Sequence, residues 1–145
     1  MRIVDANVLL YAVNADAPHH ESSKRWLDRA LGGGDTVGLS WVAMLAFVRL
    51  ATKEGLFPQP LTIDDAMEQV DEWLAAPGGR AVAPGPEHAR ALLRALRDVG
   101  RGGNLVNDAH LVALALEHRA DIVSYDNDFS RFEGVKWRTP EQLLR

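Results

Sequence analysis

The sequence predicts an α/β domain with a mainly parallel central sheet and helices on both faces. Three observations carry that expectation. Short apolar runs of strand length alternate with segments whose apolar residues recur at helical spacing. The strand candidates are separated by stretches long enough for helical crossovers, which parallel pairing requires. The chain has 145 residues, 47% hydrophobic and 25% charged, the size and apolar content of one domain, 1–145, with a buried core.

The elements follow in order. Ile3-Val4 begins a buried strand, and Asn7–Val13 is the helix or turn after it. Glu21–Leu31 is a helix with Trp26, Leu27, Ala30 and Leu31 on one face, ended by Gly32-Gly33-Gly34. Val37–Leu39 is a short strand. Trp41–Ala51 is apolar nearly all round, as in a buried helix. Pro58 and Pro60 mark a loop. Thr62 and Asp65 resemble a capping box that opens a helix to about Leu74, stopped by Pro77-Gly78-Gly79. Arg80–Ala83 is a weak strand. Pro86 opens a helix to about Val99, and Gly100, Gly102 and Gly103 form a loop. Asn104–His118 is helical, with Leu111 and Ala115 in its buried stripe. Asp121–Ser124 is a strand, Val135–Arg138 a last short one, and Pro140–Leu144 a terminal helical turn.

Cysteine is absent, which rules out disulfides and thiolate metal sites. No apolar run approaches the roughly 20 residues of a membrane span. The apolar opening is interrupted by Asp5 and Asn7, and no cleavage pattern follows, so a cytoplasmic protein is expected. The net charge of -4 gives no whole-molecule attraction to nucleic acid, so any such contact needs a local basic patch.

In open parallel sheets, functional residues gather beyond the carboxyl ends of the strands. Asp5 ends the first strand inside an otherwise apolar run, where an unpaired carboxylate costs several kcal/mol, roughly. Asp126 and Asp128, in SYDNDF, follow a later strand. Asp108, in NLVNDAH, lies near a helix start, with Asn104 four residues before it on the same face if the helix extends that far. Each acid taken singly also fits a structural role. Asp5 suits a helix N-cap, Asp108 the positive end of a helix dipole, and Asp126 with Asp128 an Asx turn. Brought to one rim, three carboxylates at ~5 Å repel pairwise by roughly 3 kcal/mol at an effective dielectric near 20. Such a cluster binds protons or a cation, and hard oxygen donors without cysteine suit Mg2+ or Mn2+ better than zinc.

VDANVLLYA, NDAHLVALAL and SYDNDF, in this order over essentially the whole chain, resemble the PIN-domain ribonucleases. More closely, they resemble the VapC-type toxins of type II toxin–antitoxin pairs. The resemblance implies a compact three-layer α/β/α domain, Mg2+- or Mn2+-dependent hydrolysis of RNA, a small VapB-type antitoxin as partner, and a homodimer. It implies Asp5, Asp108 and Asp126 as catalytic and metal-holding acids, with Asp128 as the second Asp of its motif. Ser124 fills the Thr/Ser place, and Asn7 the small polar place after the first acid. Asn7, Asn104 and Ser124 are accessory candidates, with ordinary capping as the competing role. Arg49 is a candidate contact for RNA or antitoxin, with a salt bridge as the alternative. Many members carry a Glu on the helix after the second strand; here Ala46 stands in that place. The competing expectation is therefore a weakened PIN-fold module that binds RNA or antitoxin without cutting. A phosphotransfer domain is disfavoured, because DANVL lacks a D-x-D nucleophile pattern. Arg90, Arg94, Arg97 and Arg101 have helical spacing and suit either RNA backbone or solvent. His110 suits packing or hydrogen bonding more than metal ligation.

Overall fold

A computed structural model describes all residues, 1–145. Five parallel strands, β1 (Arg2–Val4), β2 (Val37–Ser40), β3 (Gly79–Val82), β4 (Asp121–Val123) and β5 (Trp137–Arg138), form one sheet in the order β3-β2-β1-β4-β5. Seven helices flank it: α1 (Ala6–Val13), α2 (His20–Arg29), α3 (Trp41–Thr52), α4 (Ile63–Ala75), α5 (His88–Val99), α6 (Val106–His118) and α7 (Pro140–Leu144). The α/β class and the parallel sheet are as the sequence indicated.

The sheet divides the apolar residues into two cores. On one face Val8, Leu9, Trp26, Leu27, Met44, Phe47 and Trp73 pack together from α1, α2, α3 and α4. On the other, α5 and α6 lay Ala95, Ala109, Val112 and Leu114 against Ile3 and Ile122. The central strand β1 supplies Ile3 to one core and Val4 to the other, both fully buried, as alternation demands. Its partners in register are Gly38 beside Ile3 on β2 and Ile122 on β4. Gly38 is small for a reason: a Cβ there would lie 2.9 Å from Ile3 Cγ1.

Helix starts follow the capping chemistry. Ser40 Oγ accepts from Ala43 N at 3.3 Å to open α3, and Thr62 Oγ1 accepts from Asp65 N at 3.0 Å to open α4. Thr139 and Gln142 form a full capping box on α7, with Pro140 in the first turn. Gly100 ends α5 in the left-handed conformation, φ 69°, where a side chain would be strained.

Four sequence expectations shift. Helix α5 begins at His88, not Pro86, because Gly85-Pro86-Glu87 is spent on the turn out of β3. Helix α6 begins at Val106. Asn104 belongs to a separate 3-10 turn, Gly103–Leu105, so it does not share the α6 face with Asp108. Strand β4 stops at Val123, which frees Ser124 for side-chain bonding. Helix α3 is buried on one side only: Ala43, Met44, Phe47 and Ala51 face the core, but Trp41 is 49% exposed and Leu45 61% exposed. No helix is long and apolar enough to cross a membrane.

Helices α5 and α6 pack as an antiparallel pair. Glu117 near the end of α6 accepts from Gly85 N at 2.8 Å and is bonded to His88 at the start of α5, and His88 Nε2 in turn meets His110 Nδ1 at 2.9 Å. Burial alone would raise the Glu117 carboxyl, but the His88 and Gly85 bonds hold it below the usual carboxylate range. His110 therefore has the hydrogen-bonding role expected of it.

Candidate metal centre

Parallel topology brings three segments to one rim. The ends of β1 and β4 are neighbours, since Val4 pairs with Val123. Helix α6 runs back from that rim toward the start of β4, so its first turn, with Asp108, stands beside both strand ends. This is the strand-end geometry that open parallel sheets offer to ligands.

Asp5 is the residue on which the rim is built. Its Oδ1 accepts from Ala6 N at 2.8 Å and caps α1. Its Oδ2 accepts from Ser124 Oγ at 2.7 Å and from Asn7 Nδ2 at 3.2 Å. Asn7 also bonds Ser124 Oγ at 3.1 Å, and its Oδ1 accepts from Tyr125 N at 3.2 Å. Ser124, fully buried, accepts from Asp126 N at 2.9 Å. This network sews the end of β1 to the end of β4. It also fixes the backbone that carries Asp126, whose Oδ1 accepts from Asp128 N at 2.8 Å and caps the 3-10 turn Asn127–Arg131.

One carboxylate oxygen each from Asp108, Asp126 and Asp128 lies within 4.8 Å of the others. All three side chains are half-buried. Asp128 joins this group, whereas the sequence reading gave it an accessory place and put Asp5 among the ligands. Asp5 stands next to the trio rather than within that distance, and its oxygens accept from Ala6, Asn7 and Ser124. Its charge acts on the trio. Burial, then the charges of Asp126, Asp5 and Asp128, push the Asp108 carboxyl up from 3.8 to about 7. Burial also raises Asp5, in part against the bonds from Ser124 and Ala6, with the charge of Asp126 adding to the rise.

The donor set fits a hard divalent cation. It is all oxygen, it has no thiolate, and neither Asp108 nor Asp126 has a cationic side chain in contact. Only Asp128 is paired, with Arg131 at 3.2 Å on an exposed edge. A proton held on Asp108 near neutral pH marks the same excess of negative charge that a cation would offset.

The other candidates fall elsewhere. Asn104 is exposed in its 3-10 turn, four residues before Asp108. Arg49 is exposed near the end of α3, without an ion pair. Ala46 is half-buried on the same helix. The structural and chemical roles of the acids are not exclusive: Asp5 is the N-cap it could have been alone, and Asp126 does form the Asx turn. One grouping the sequence reading missed lies on the α1–α2 side. His19 stacks on Tyr125 at 4.1 Å, and Tyr125 donates to Glu141 Oε1 at 2.9 Å. Its residues come from three separate segments with no common spacing, so no sequence signal marked it.

Ser124→Ala tests the network. It leaves Asp5 Oδ2 and Asp126 N short of a buried partner, at a cost of about 1–3 kcal/mol. Affinity for a divalent cation is expected to fall by roughly 10–100-fold through displaced acids. Chemical denaturation and a Mn2+ titration check the two values, and Ser124→Thr is expected to retain most of both.

The PIN domain family matches residues 2–135. Ribonuclease VapC37 of Mycobacterium tuberculosis is 64% identical over 144 residues, covering 99% of this chain and 100% of that one. Ribonuclease VapC33 of Mycobacterium tuberculosis is 36% identical over 140 residues, covering 97% of this chain and 98% of that one. Among solved structures, VapBC2 from Rickettsia felis, bound to a DNA fragment from its promoter, has a TM-score of 0.69 at 16% identity, covering 95% of this chain and 97% of that one. The VapC20 toxin of Mycobacterium tuberculosis, described as cleaving the sarcin–ricin loop, has a TM-score of 0.65 at 19% identity, covering 94% and 99%.

Proposed function

The chain belongs to the PIN-domain family and, within it, to the VapC ribonucleases, and on that premise we propose that it is the toxin of a type II toxin–antitoxin pair, a Mg2+- or Mn2+-dependent endoribonuclease. The observation that carries the reading is the Asp108–Asp126–Asp128 cluster at the strand-end rim, braced by Asp5.

Asp108, Asp126 and Asp128 are the residues that would hold a divalent cation, with Asp5 as the fourth acid beside them. Such a cation, when bound, acidifies water and offsets charge on a phosphodiester. The chain's own part is positional. Ser124 and Asn7 hold Asp5 and the Asp126 backbone in place, and the apolar walls of the two cores keep the rim rigid. The acids also repel the RNA backbone in the absence of a cation, so a bound cation is expected to tighten RNA binding. By family, the products carry 5′-phosphate and 3′-hydroxyl ends.

A VapB-type antitoxin and a second copy of the chain are the protein partners this reading assigns. Exposed Trp41 and Leu45 on α3, with Ile63 and Met67 on α4, supply apolar surface suited to such partners. Arg49, unpaired at the end of α3, is available to RNA or to an antitoxin carboxylate. The protein is expected to act in the cytoplasm.

The test is RNA cleavage with and without Mg2+ by the wild type, Asp5→Asn and Asp126→Asn. Metal-dependent cutting by the wild type and loss of at least about tenfold in both variants is the expected result; equal cutting by all three overturns the acid assignment. Ala46→Glu addresses the reading in which the site is one acid short. The expected outcome is cleavage unchanged or lower, because the Asp108–Asp126–Asp128 trio is assembled without a residue from α3. A gain above about tenfold would instead show that the missing acid limits the enzyme.

A further inference from the structure

Helix α5 presents a row of arginines with no structural employment. Arg90, Arg94 and Arg97 recur at helical spacing on one face, and Arg101 follows just past the end of the helix; all are exposed. A shallow surface groove is lined by Arg90, Leu93, Arg94 and Arg97. Arg90 meets Glu87 at 3.4 Å on an open surface, while Arg94, Arg97 and Arg101 have no acidic partner. Like charges one turn apart weaken a helix, and only Arg90, beside Glu87, and Arg97, in the last turn, gain a small local return.

The row is out of character with its chain. From His88 to Arg101 there are four arginines and one acid, Asp98, in a protein of net charge -4. Helix α4 has the opposite face, with Asp64, Asp65, Glu68, Asp71 and Glu72 and no base. All four cations are arginines, whose planar forks bind phosphate in pairs of hydrogen bonds.

The topology gives the row a direction. The start of α5 is tied to the end of α6, through His88 and Gly85 to Glu117. Antiparallel to α6, α5 therefore climbs toward the rim where α6 begins and Asp108 stands. Arg101 lies in the connection between the two helices, seven residues before Asp108. The guanidinium stems rise by about 5.4 Å per turn, a spacing of the same order as that of successive phosphates.

We propose that the arginine face of α5, from Arg90 to Arg101, is a track for the RNA sugar–phosphate backbone that leads it to the acid cluster. It rests on the ribonuclease reading above and supplies what that reading lacks, a cationic surface to offset the repulsion between an acidic rim and a polyanion. RNA is favoured over an acidic protein segment because the track runs to the acids that do the chemistry.

The experiment uses the whole chain with Arg94→Glu/Arg97→Glu, Arg94→Lys/Arg97→Lys, and Lys24→Glu on α2 as a surface control, each checked by circular dichroism. RNA affinity is read without metal by fluorescence anisotropy of a labelled 20-nucleotide RNA, and KM and kcat are read with Mg2+. The reversal pair is expected to weaken RNA binding and raise KM by about tenfold or more, with kcat within threefold. The slope of log affinity against log salt should fall by about 1.4, at roughly 0.7 for each lost phosphate contact. The lysine pair should recover most of the affinity, Lys24→Glu should change it less than twofold, and a dinucleotide substrate too short for the track should be cut equally by all. If the reversal pair folds poorly, Arg94→Gln/Arg97→Gln takes its place. Unchanged affinity and slope overturn the track, as does loss of antitoxin binding with RNA affinity intact. A wild type that binds RNA through α5 but never cuts it overturns the ribonuclease reading and leaves the track standing.

Discussion

Asp108→Asn is expected to lower RNA cleavage by about 10^3-fold, roughly 4 kcal/mol of transition-state stabilisation, while making the metal-free protein harder to melt at neutral pH. Both effects come from one charge. Asp108 has its carboxyl pushed up to about 7 by burial and by Asp126, Asp5 and Asp128. A folded-state value above the unfolded one means that ionising the group opposes folding. Stability of the metal-free protein is therefore greatest where Asp108 keeps its proton, falls as pH rises from about 4 to about 7, and levels off above. Asparagine has no charge to expel. It removes that slope, and the melting temperature is expected to rise at pH 8 and to change little near pH 4. Mg2+ should raise the melting temperature of the wild type, by mass action on the folded state, and have a smaller effect on Asp108→Asn. Thermal melts across this pH range, with and without Mg2+, check the pattern. A variant that melts lower than the wild type at pH 8 would contradict it. A variant that melts higher would make the site an instance of function kept at the expense of stability.

Phe129→Ala is expected to cost about 3–5 kcal/mol and, in a protein of this size, to lower the melting temperature by roughly 10 °C. Phe129 is fully buried next to Phe132, whose ring centroid is 6.3 Å away, and both belong to the core beneath α5 and α6. It follows Asp128 directly in the turn capped by Asp126. The ring thus anchors the same backbone that places two of the three clustered acids. Cleavage should drop by more than the unfolded fraction accounts for, since the folded molecules also lose a fixed Asp126–Asp128 turn. Phe129→Leu, which fills most of the volume, should retain most of the activity. Denaturant melts and single-turnover cleavage measured well below the melting temperature separate the two effects.

How much was legible beforehand can be seen residue by residue. Val37–Leu39, Trp41–Ala51 and Asp121–Ser124 have apolar patterns strong enough to mark their elements to within a residue or two, because burial of those side chains dominates the local energy. The boundaries that moved lie where turn chemistry competes with periodicity. Gly85-Pro86-Glu87 became a turn, and Gly103–Leu105 wound as a separate 3-10 turn that took Asn104 off the Asp108 face. The burial of α3 was overestimated for a related reason. An apolar helix reads as buried, but the fold supplies packing partners on one side only and leaves Trp41 and Leu45 in water.

For the site, the sequence by itself determined the cast and the neighbourhood. Asp5, Asp108, Asp126 and Asp128 stand at strand ends and a helix start, and parallel topology brings such positions to one rim whatever the details. Only the tertiary structure decided how their oxygens are engaged. Asp5 spends its oxygens on Ala6, Asn7 and Ser124, while Asp108, Asp126 and Asp128 each turn one oxygen to the others. The pattern of residue types along a chain specifies which groups are buried, because that depends on each side chain and its period. Which lone pairs remain free depends on hydrogen-bond partners more than one hundred residues away, such as Ser124 for Asp5, and those exist only once the strands have paired.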